Sequence, residues 1–285
     1  MELMSDLDPR LHAFRPDLAD ASLRGSVAAA RFVDGRRCHV VAPAAPLRRA
    51  SAANATLDTE ILMGEIFTVF ELTPKGRAWG QLATDGYVGY VPAAALATAA
   101  QAPTHQVSAL RTFVFSAPNI RAAPLGVVSF GAQVAVTRES ETDGVRFLGL
   151  PGRGWVGARH LAPVGVPCGS DYVVFAERFV GTPYLWGGRT SLGLDCSALV
   201  QLSLAATGRA VPRDSDLQEA ALGTPVAGGV EELQRGDLLF WPGHVAICRD
   251  PQSVVHASGT LLEVAVEPLA DALARTGPPR TIRRP

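Results

Sequence analysis

The chain contains no run of about 18 apolar residues, the length a membrane-spanning helix needs, so no membrane span is expected. It has only four cysteines, Cys38, Cys168, Cys196 and Cys248, widely spaced and without a C-x-x-C pair. That spacing indicates neither a zinc site nor a dense disulfide framework, and reduced thiols fit better. Charge imbalance is missing too: 26 Lys and Arg stand against 27 Asp and Glu. No global basic field invites nucleic acid or an anionic membrane, and Arg36–Arg37 and Arg283–Arg284 read as solvated surface. No phosphate loop, dinucleotide fingerprint or metal motif occurs, so no cofactor is expected. The first thirty residues carry early acids and lack the apolar core of a secretory signal, which predicts a cytoplasmic protein.

What is present is a globular composition, 47% apolar and 19% charged over 285 residues, consistent with two or three domains. Residues 1–30 read as a polar arm with short helices in DPRLHAF and DLADASLRG, each opening on an Asp cap. Residues 31–100 read as short strands bounded by Gly, Pro, Asn or Asp: RRCHVVAP, GEIFTVFEL, AWGQLAT and GYVGYVP. The pattern recurs over 101–165 in TFVFSAP, AQVAVTRE, VRFLGLP and GWVGARHLAP, and the endings YVGYVPAAAL and GRGWVGARHL resemble each other. Two small β-barrels of one type are expected.

The character changes near GVPCGS, and 166–285 reads as a separate α+β domain. A first helix covers YVVFAERFV, and a second runs from Asp195 to about Thr207. A third begins at Ser215, where Ser215 and Gln218 have the spacing of a capping box. Strands follow in DLLFW, HVAIC, SVVHA and LLEVAVE.

Within this domain Cys196 lies at the start of the second helix, with Asp195 available as its cap. Unpaired N–H groups and the positive end of the helix dipole favour an anion there. The thiol is therefore expected to titrate below its ordinary value of about 8.5, with the same N–H groups offering an oxyanion hole. His244 opens one strand and can reach a helix terminus as general base. His256 lies in the next strand and can fix the tautomer and orientation of His244.

The motifs PYLWGG, LDCSALV, PRDSDLQ, RGDLLFW and GHVAI resemble the NlpC-type cell-wall cysteine peptidases, a bacterial branch of the papain-like fold. The resemblance implies Cys196 as nucleophile, His244 as base, His256 as third polar residue and Tyr184 as support for the oxyanion, acting on peptidoglycan stem peptides. The upstream blocks resemble bacterial SH3-like domains, and two of them before this catalytic domain resemble the γ-D-glutamyl-L-diamino acid endopeptidases. That likeness implies that Asp195, Ser197, Glu65 and Tyr87 hold the free amine of an N-terminal L-Ala, with Glu60 and Tyr90 close by as alternatives. Trp186 is expected among the substrate contacts. The implied substrate is L-Ala-γ-D-Glu-diamino acid from turnover. A wall hydrolase or amidase acting on intact peptidoglycan, and a non-catalytic wall-binding protein, are the competing readings.

Overall fold

The structure, a computed structural model, describes residues 7–285. The chain forms two compact units. One holds the described residues up to Val107 with Thr112–Val128 and Ala132–Leu161; the other holds Ala162–Pro285 with the loops Ser108–Arg111 and Ser129–Gly131.

In the N-terminal unit the first block is a seven-stranded sheet. Its order is Leu57–Leu62, Ala44–Arg48, Val88–Pro92, Arg77–Leu82, Ile66–Leu72, Arg36–Val40, Leu96–Ala97. Neighbours are antiparallel, and Phe67 and Val69 turn inward while Ile66 and Thr68 do not, as the two-residue strand period demands. The second block has a five-stranded and a three-stranded sheet around Val107, Val114, Val128, Leu150 and Val156. Met63 of the first block joins that core. Beside it Gly64 has φ +85°, and a Cβ there would stand 2.3 Å from the Gln133 carbonyl oxygen, so only glycine fits. The similar sequence endings correspond to similar structure. Val88–Pro92 leads through a 3₁₀ turn into Leu96–Ala97, and Gly154–Gly157 leads through another into Leu161–Pro163.

The expected helical arm is not helical where described; residues 1–6 of it lie outside the described residues. Ala19–Asp20 pairs in parallel with Phe32–Val33, and Asp20 caps only the 3₁₀ turn Ala21–Leu23. Pro9 and Pro16 leave windows too short to repay helix nucleation, and Asp8 is engaged by Arg10 instead of capping.

The C-terminal unit has four α-helices among the described residues: α1 (Tyr172–Glu177), α2 (Cys196–Ala205), α3 (Ser215–Ala221) and α4 (Leu269–Thr276). Its main sheet has six strands, β1 (Thr224–Pro225), β2 (Leu238–Trp241), β3 (His244–Asp250), β4 (Ser253–Ser258), β5 (Glu263–Pro268) and β6 (Thr281–Arg284). They lie in the order β1-β6-β2-β3-β4-β5, antiparallel throughout. The sheet is buried on both faces. Val245, Ile247, Val255 and Val264 pack with α1 and α2, while Ala246, Cys248 and Val254 pack with α4 and Ile282. Double burial explains why β2 reads as continuous LLFW and not as an alternation.

Asp171 caps α1 by accepting from the Val173 and Val174 N–H groups. The expected capping box at Ser215 is not formed. Asp214 occupies the cap position, and the Gln218 amide donates to the Ser197 and Pro212 carbonyls. These buried carbonyls compete successfully for the Gln218 donors. Phe130, from the loop Ser129–Gly131, stacks 4.4 Å from Phe175, whose ring meets Phe179 at 5.9 Å. Phe179 is fully buried, so Phe179→Ala should cost about 3–5 kcal/mol, measurable as a lower urea midpoint for this unit.

Candidate active site

Asp195 sits before α2 with extended backbone, and its carboxylate accepts from Ala198 N–H at 2.8 Å. Cys196 is thereby fixed as the first helical residue. Every residue from Cys196 to Leu204 is buried, so the nucleophile candidate stands on a rigid central helix. The expected lowering of its pKa is reversed. Burial first, and the Asp195 charge second, push the Cys196 thiol up to about 12. The Val245 and Ser197 N–H groups and Arg213 pull the other way without prevailing. A helix terminus favours an anion only while desolvation and a neighbouring carboxylate do not outweigh it. The resting group is a neutral thiol.

The partner of Asp195 is Arg213, a residue given no role by the sequence reading. Its guanidinium is fully buried and grips both carboxylate oxygens, Nη1 to Oδ1 at 2.9 Å and Nη2 to Oδ2 at 2.8 Å. Arg213 also donates to Ser197 Oγ and the Gly188 carbonyl. Ser197 Oγ donates to Asp195 Oδ1, and Gly187 N–H donates to Oδ2. The loop PYLWGG, the helix start and PRDSDLQ are thus joined through one carboxylate. Both Asp195 oxygens are engaged within their own unit, so a substrate ammonium would be an additional partner to an already paired acid. The only sequence signal for Arg213 was its place inside a quoted motif.

Three polar side chains form a diagonal row across β3, β4 and β5. His244 Nε2 lies 2.9 Å from His256 Nδ1, and His256 Nε2 lies 3.1 Å from Glu267 Oε2, close but poorly aligned. The pairing of His256 with Ala265 and of Val254 with Glu267 gives the last contact its diagonal geometry. Glu267 is held in turn by Arg275 in the last turn of α4, through both guanidinium nitrogens. Neither Glu267 nor Arg275 was singled out from the sequence; an acid at a buried strand position was the available signal. Burial, then the neighbouring His256 and Arg275, lower the His244 pKa to about 4. Burial also lowers that of His256, against the pull of Glu267. Both imidazoles are neutral at pH 7. Among the described residues no hydrogen bond joins Cys196 to His244. The strand group that meets the sulfur is the adjoining Val245 N–H.

Tyr184 is half-buried; its N–H donates to the Leu262 carbonyl. Burial, then the charges of Cys196 and Asp195, raise the phenol to about 12, leaving it a neutral O–H donor near the thiol. Trp186 is 62% exposed at the loop tip. Glu65 and Tyr87 belong to the N-terminal unit and are both buried there. Glu65 accepts from Leu62 N–H at 2.7 Å and Thr84 Oγ1 at 2.8 Å, so it is not a solvated turn residue. Of the alternatives, Tyr90 has its hydroxyl bonded by Arg15 at 2.7 Å, and Glu60 pairs across strands with Pro46.

A thiol on a helix start, packed against an antiparallel sheet whose neighbouring strand opens on His, is the arrangement of a papain-like domain. The chain belongs to the NlpC/P60 family, whose model matches residues 181–276. Residues 47–96 match the bacterial dipeptidyl-peptidase SH3 domain. The chain is 40% identical over 89 residues to dipeptidyl-peptidase 6 of Lysinibacillus sphaericus, covering 31% of this chain and 32% of that protein. It is 30% identical over 114 residues to a γ-D-glutamyl-L-lysine dipeptidyl-peptidase of Bacillus cereus, covering 37% and 33%. These matches therefore span about a third of each relative's length. Against the peptidoglycan endopeptidase RipB of Mycobacterium tuberculosis it is 31% identical over 182 residues, covering 52% of this chain and 74% of that one. The crystal structure of an NlpC/P60 family protein from Bacillus cereus superposes with TM-score 0.71 at 22% identity, covering 87% and 99% of the two chains. The last likeness shows the shared fold.

Removing one member of the buried Asp195–Arg213 pair leaves a desolvated charge without its partner. Arg213→Ala should cost about 3–5 kcal/mol, read as a shift in the urea unfolding midpoint at pH 7.

Proposed function

We propose that this protein is a cysteine endopeptidase that cleaves the γ-D-glutamyl–diamino acid bond of stem peptides with a free N-terminal L-Ala. The observation that carries the reading is one compact unit holding Cys196 at a helix start and the His244–His256 pair on the neighbouring strands β3 and β4. A dipeptidyl-peptidase-type SH3 domain upstream supports the choice of bond. The second strand block is read as a further barrel of the same type.

In this mechanism the substrate draws His244 and the thiol together, since catalytic hydrogen bonds are often long before substrate binds. Cys196 Sγ gives its proton to His244 and attacks the γ-glutamyl carbonyl carbon. The N–H groups of the first turn of α2 and the Tyr184 hydroxyl receive the developing oxyanion. His244 returns the proton to the departing amine, and a thioester to Cys196 remains. Water, deprotonated by His244, hydrolyses the thioester and restores the thiol.

For specificity, Asp195 and Ser197 are assigned to the substrate ammonium, with Glu65 and Tyr87 as a second acid and hydroxyl and Trp186 as an apolar contact. Because Arg213 already balances Asp195, a second acid is what an ammonium needs to offset its desolvation. A muramoyl group on that nitrogen would remove the charge and add bulk. The preferred substrates are therefore peptides released by wall turnover, which a cytoplasmic enzyme would meet during recycling.

Mass spectrometry of L-Ala-γ-D-Glu-diaminopimelate and its N-acetylmuramoyl counterpart tests the assignment. The free peptide should be cleaved and the blocked one left intact. Preferential cleavage of the blocked peptide would instead favour action on intact wall, as the name of the RipB relative describes for that protein. Cys196→Ala should abolish turnover. His244→Ala should lower kcat/KM by about 10²–10⁴-fold, and turnover unaffected by both substitutions would overturn the assignment of Cys196 and His244.

The base must be neutral to work, and the folded protein holds His244 near 4, against an ordinary 6.5. Activity in kcat/KM should therefore persist as pH falls through 6.5 and decline only toward about 4. An acid limb at the ordinary imidazole value in a pH–rate profile would contradict this.

A further inference from the structure

We propose that Glu267, anchored by Arg275, is a positioning residue that sets the tautomers of His256 and His244 and so leaves His244 Nδ1 unprotonated. The inference deepens the peptidase reading and rests on it for its catalytic meaning, but its geometry stands on the observed contacts.

The argument follows the donors and acceptors in order. Arg275 and His256 hold the Glu267 carboxyl below its usual range, so it is an anion that only accepts. Arg275 can only donate, and it takes up both oxygens from the α4 side. Glu267 Oε2 lies 3.1 Å from His256 Nε2 without a well-aligned hydrogen bond, and its negative charge beside that nitrogen favours the His256 proton on Nε2. His256 Nδ1 is then a lone pair. Its 2.9 Å contact with His244 Nε2 requires that His244 nitrogen to be the donor. One proton remains on a neutral imidazole, so His244 Nδ1 has none. That is the state in which it can accept the thiol proton.

The same row answers the charge that follows. When His244 becomes imidazolium, its Nε2–H bond to His256 becomes charge-assisted. Glu267 lies one imidazole further on, 8% exposed, and stabilises the cation through His256. Arg275 opposes that cation electrostatically, so the carboxylate and the guanidinium act in opposite directions on the base. The charged and titratable groups around His256 are His244 from β3, Glu267 from β5 and Arg275 from α4; Asp271 faces Arg275 from within α4.

The test is a ring-¹⁵N spectrum of the full chain at pH 7, labelled at its six histidines and assigned with His244 and His256 substitutions. In the wild type both Nε2 atoms should be of the protonated, pyrrole-like type and both Nδ1 atoms pyridine-like. A proton on Nδ1 of either ring overturns the proposal without need of any variant. In Glu267→Ala the nearest charged neighbour of His256 Nε2 becomes Arg275, which can only donate. Both tautomers should reverse, and kcat/KM should fall about a hundredfold with KM little changed. Arg275→Ala keeps the carboxylate and should keep the wild-type tautomers with a much smaller loss. Equal loss in both variants with tautomers unmoved would make the pair merely structural and refute the positioning role. A wild type with the expected tautomers that cleaves no stem peptide would refute the peptidase reading alone.

Discussion

The buried ion pair between Asp195 and Arg213 is the contact on which the rest of the site depends. Asp195 caps α2, anchors Gly187 N–H of the preceding loop and accepts from Ser197, while Arg213 ties the same cluster to the Gly188 carbonyl. An ionised carboxylate this deeply enclosed is tolerable only because its lone pairs are filled by charged and neutral donors. Three segments, the Gly187–Gly188 loop, the start of α2 and the stretch carrying Arg213, are thereby fixed around the sulfur. A bidentate fork also sets orientation more tightly than a point charge can, so Lys at 213 would not be equivalent.

That arrangement has a cost for the nucleophile. The carboxylate that positions Cys196 also repels its thiolate, and burial adds to the effect. The site therefore rests as a neutral thiol beside neutral imidazoles, and charge separation is deferred to the reaction itself. Preorganised donors are then most effective, because they meet charge only as it develops. The Val245 and Ser197 N–H groups are already aimed at the sulfur, and the His256–Glu267 row is aimed at the imidazole.

Much of this was legible in the chain. The Asp cap before Cys196, the helix that follows, and the strands carrying His244 and His256 are all local patterns, and each formed as its residues suggest. The internal likeness of GYVPAAAL and GWVGARHL was legible for the same reason, since a strand end followed by a tight turn is encoded within ten residues. The failures are non-local. The return strand Thr281–Arg284 has no strong pattern because it derives its pairing from β1 and β2. Gln218 looked like a capping residue until buried carbonyls claimed its amide. The thiol's titration could not be read from helix position, because burial is a property of the folded unit. Arg213 and Glu267 are ordinary charged residues in sequence and become significant only through the partners that folding supplies.

The two buried ion pairs also limit what the catalytic unit can recognise. Asp195 is balanced by Arg213 and Glu267 by Arg275, so the carboxylates nearest the chemistry bring no net negative charge. A cationic substrate group gains little from a neutralised pair, whereas its desolvation penalty is undiminished. A preference for a free ammonium therefore requires an acid beyond these two pairs. Glu65, the second acid of the proposed recognition, is buried and accepts from Leu62 N–H and Thr84 Oγ1. Selectivity and catalysis are then separable. In the proposed function the groups around Cys196 and His244 would set the protonation states for the reaction, and the second acid would select the peptide N-terminus.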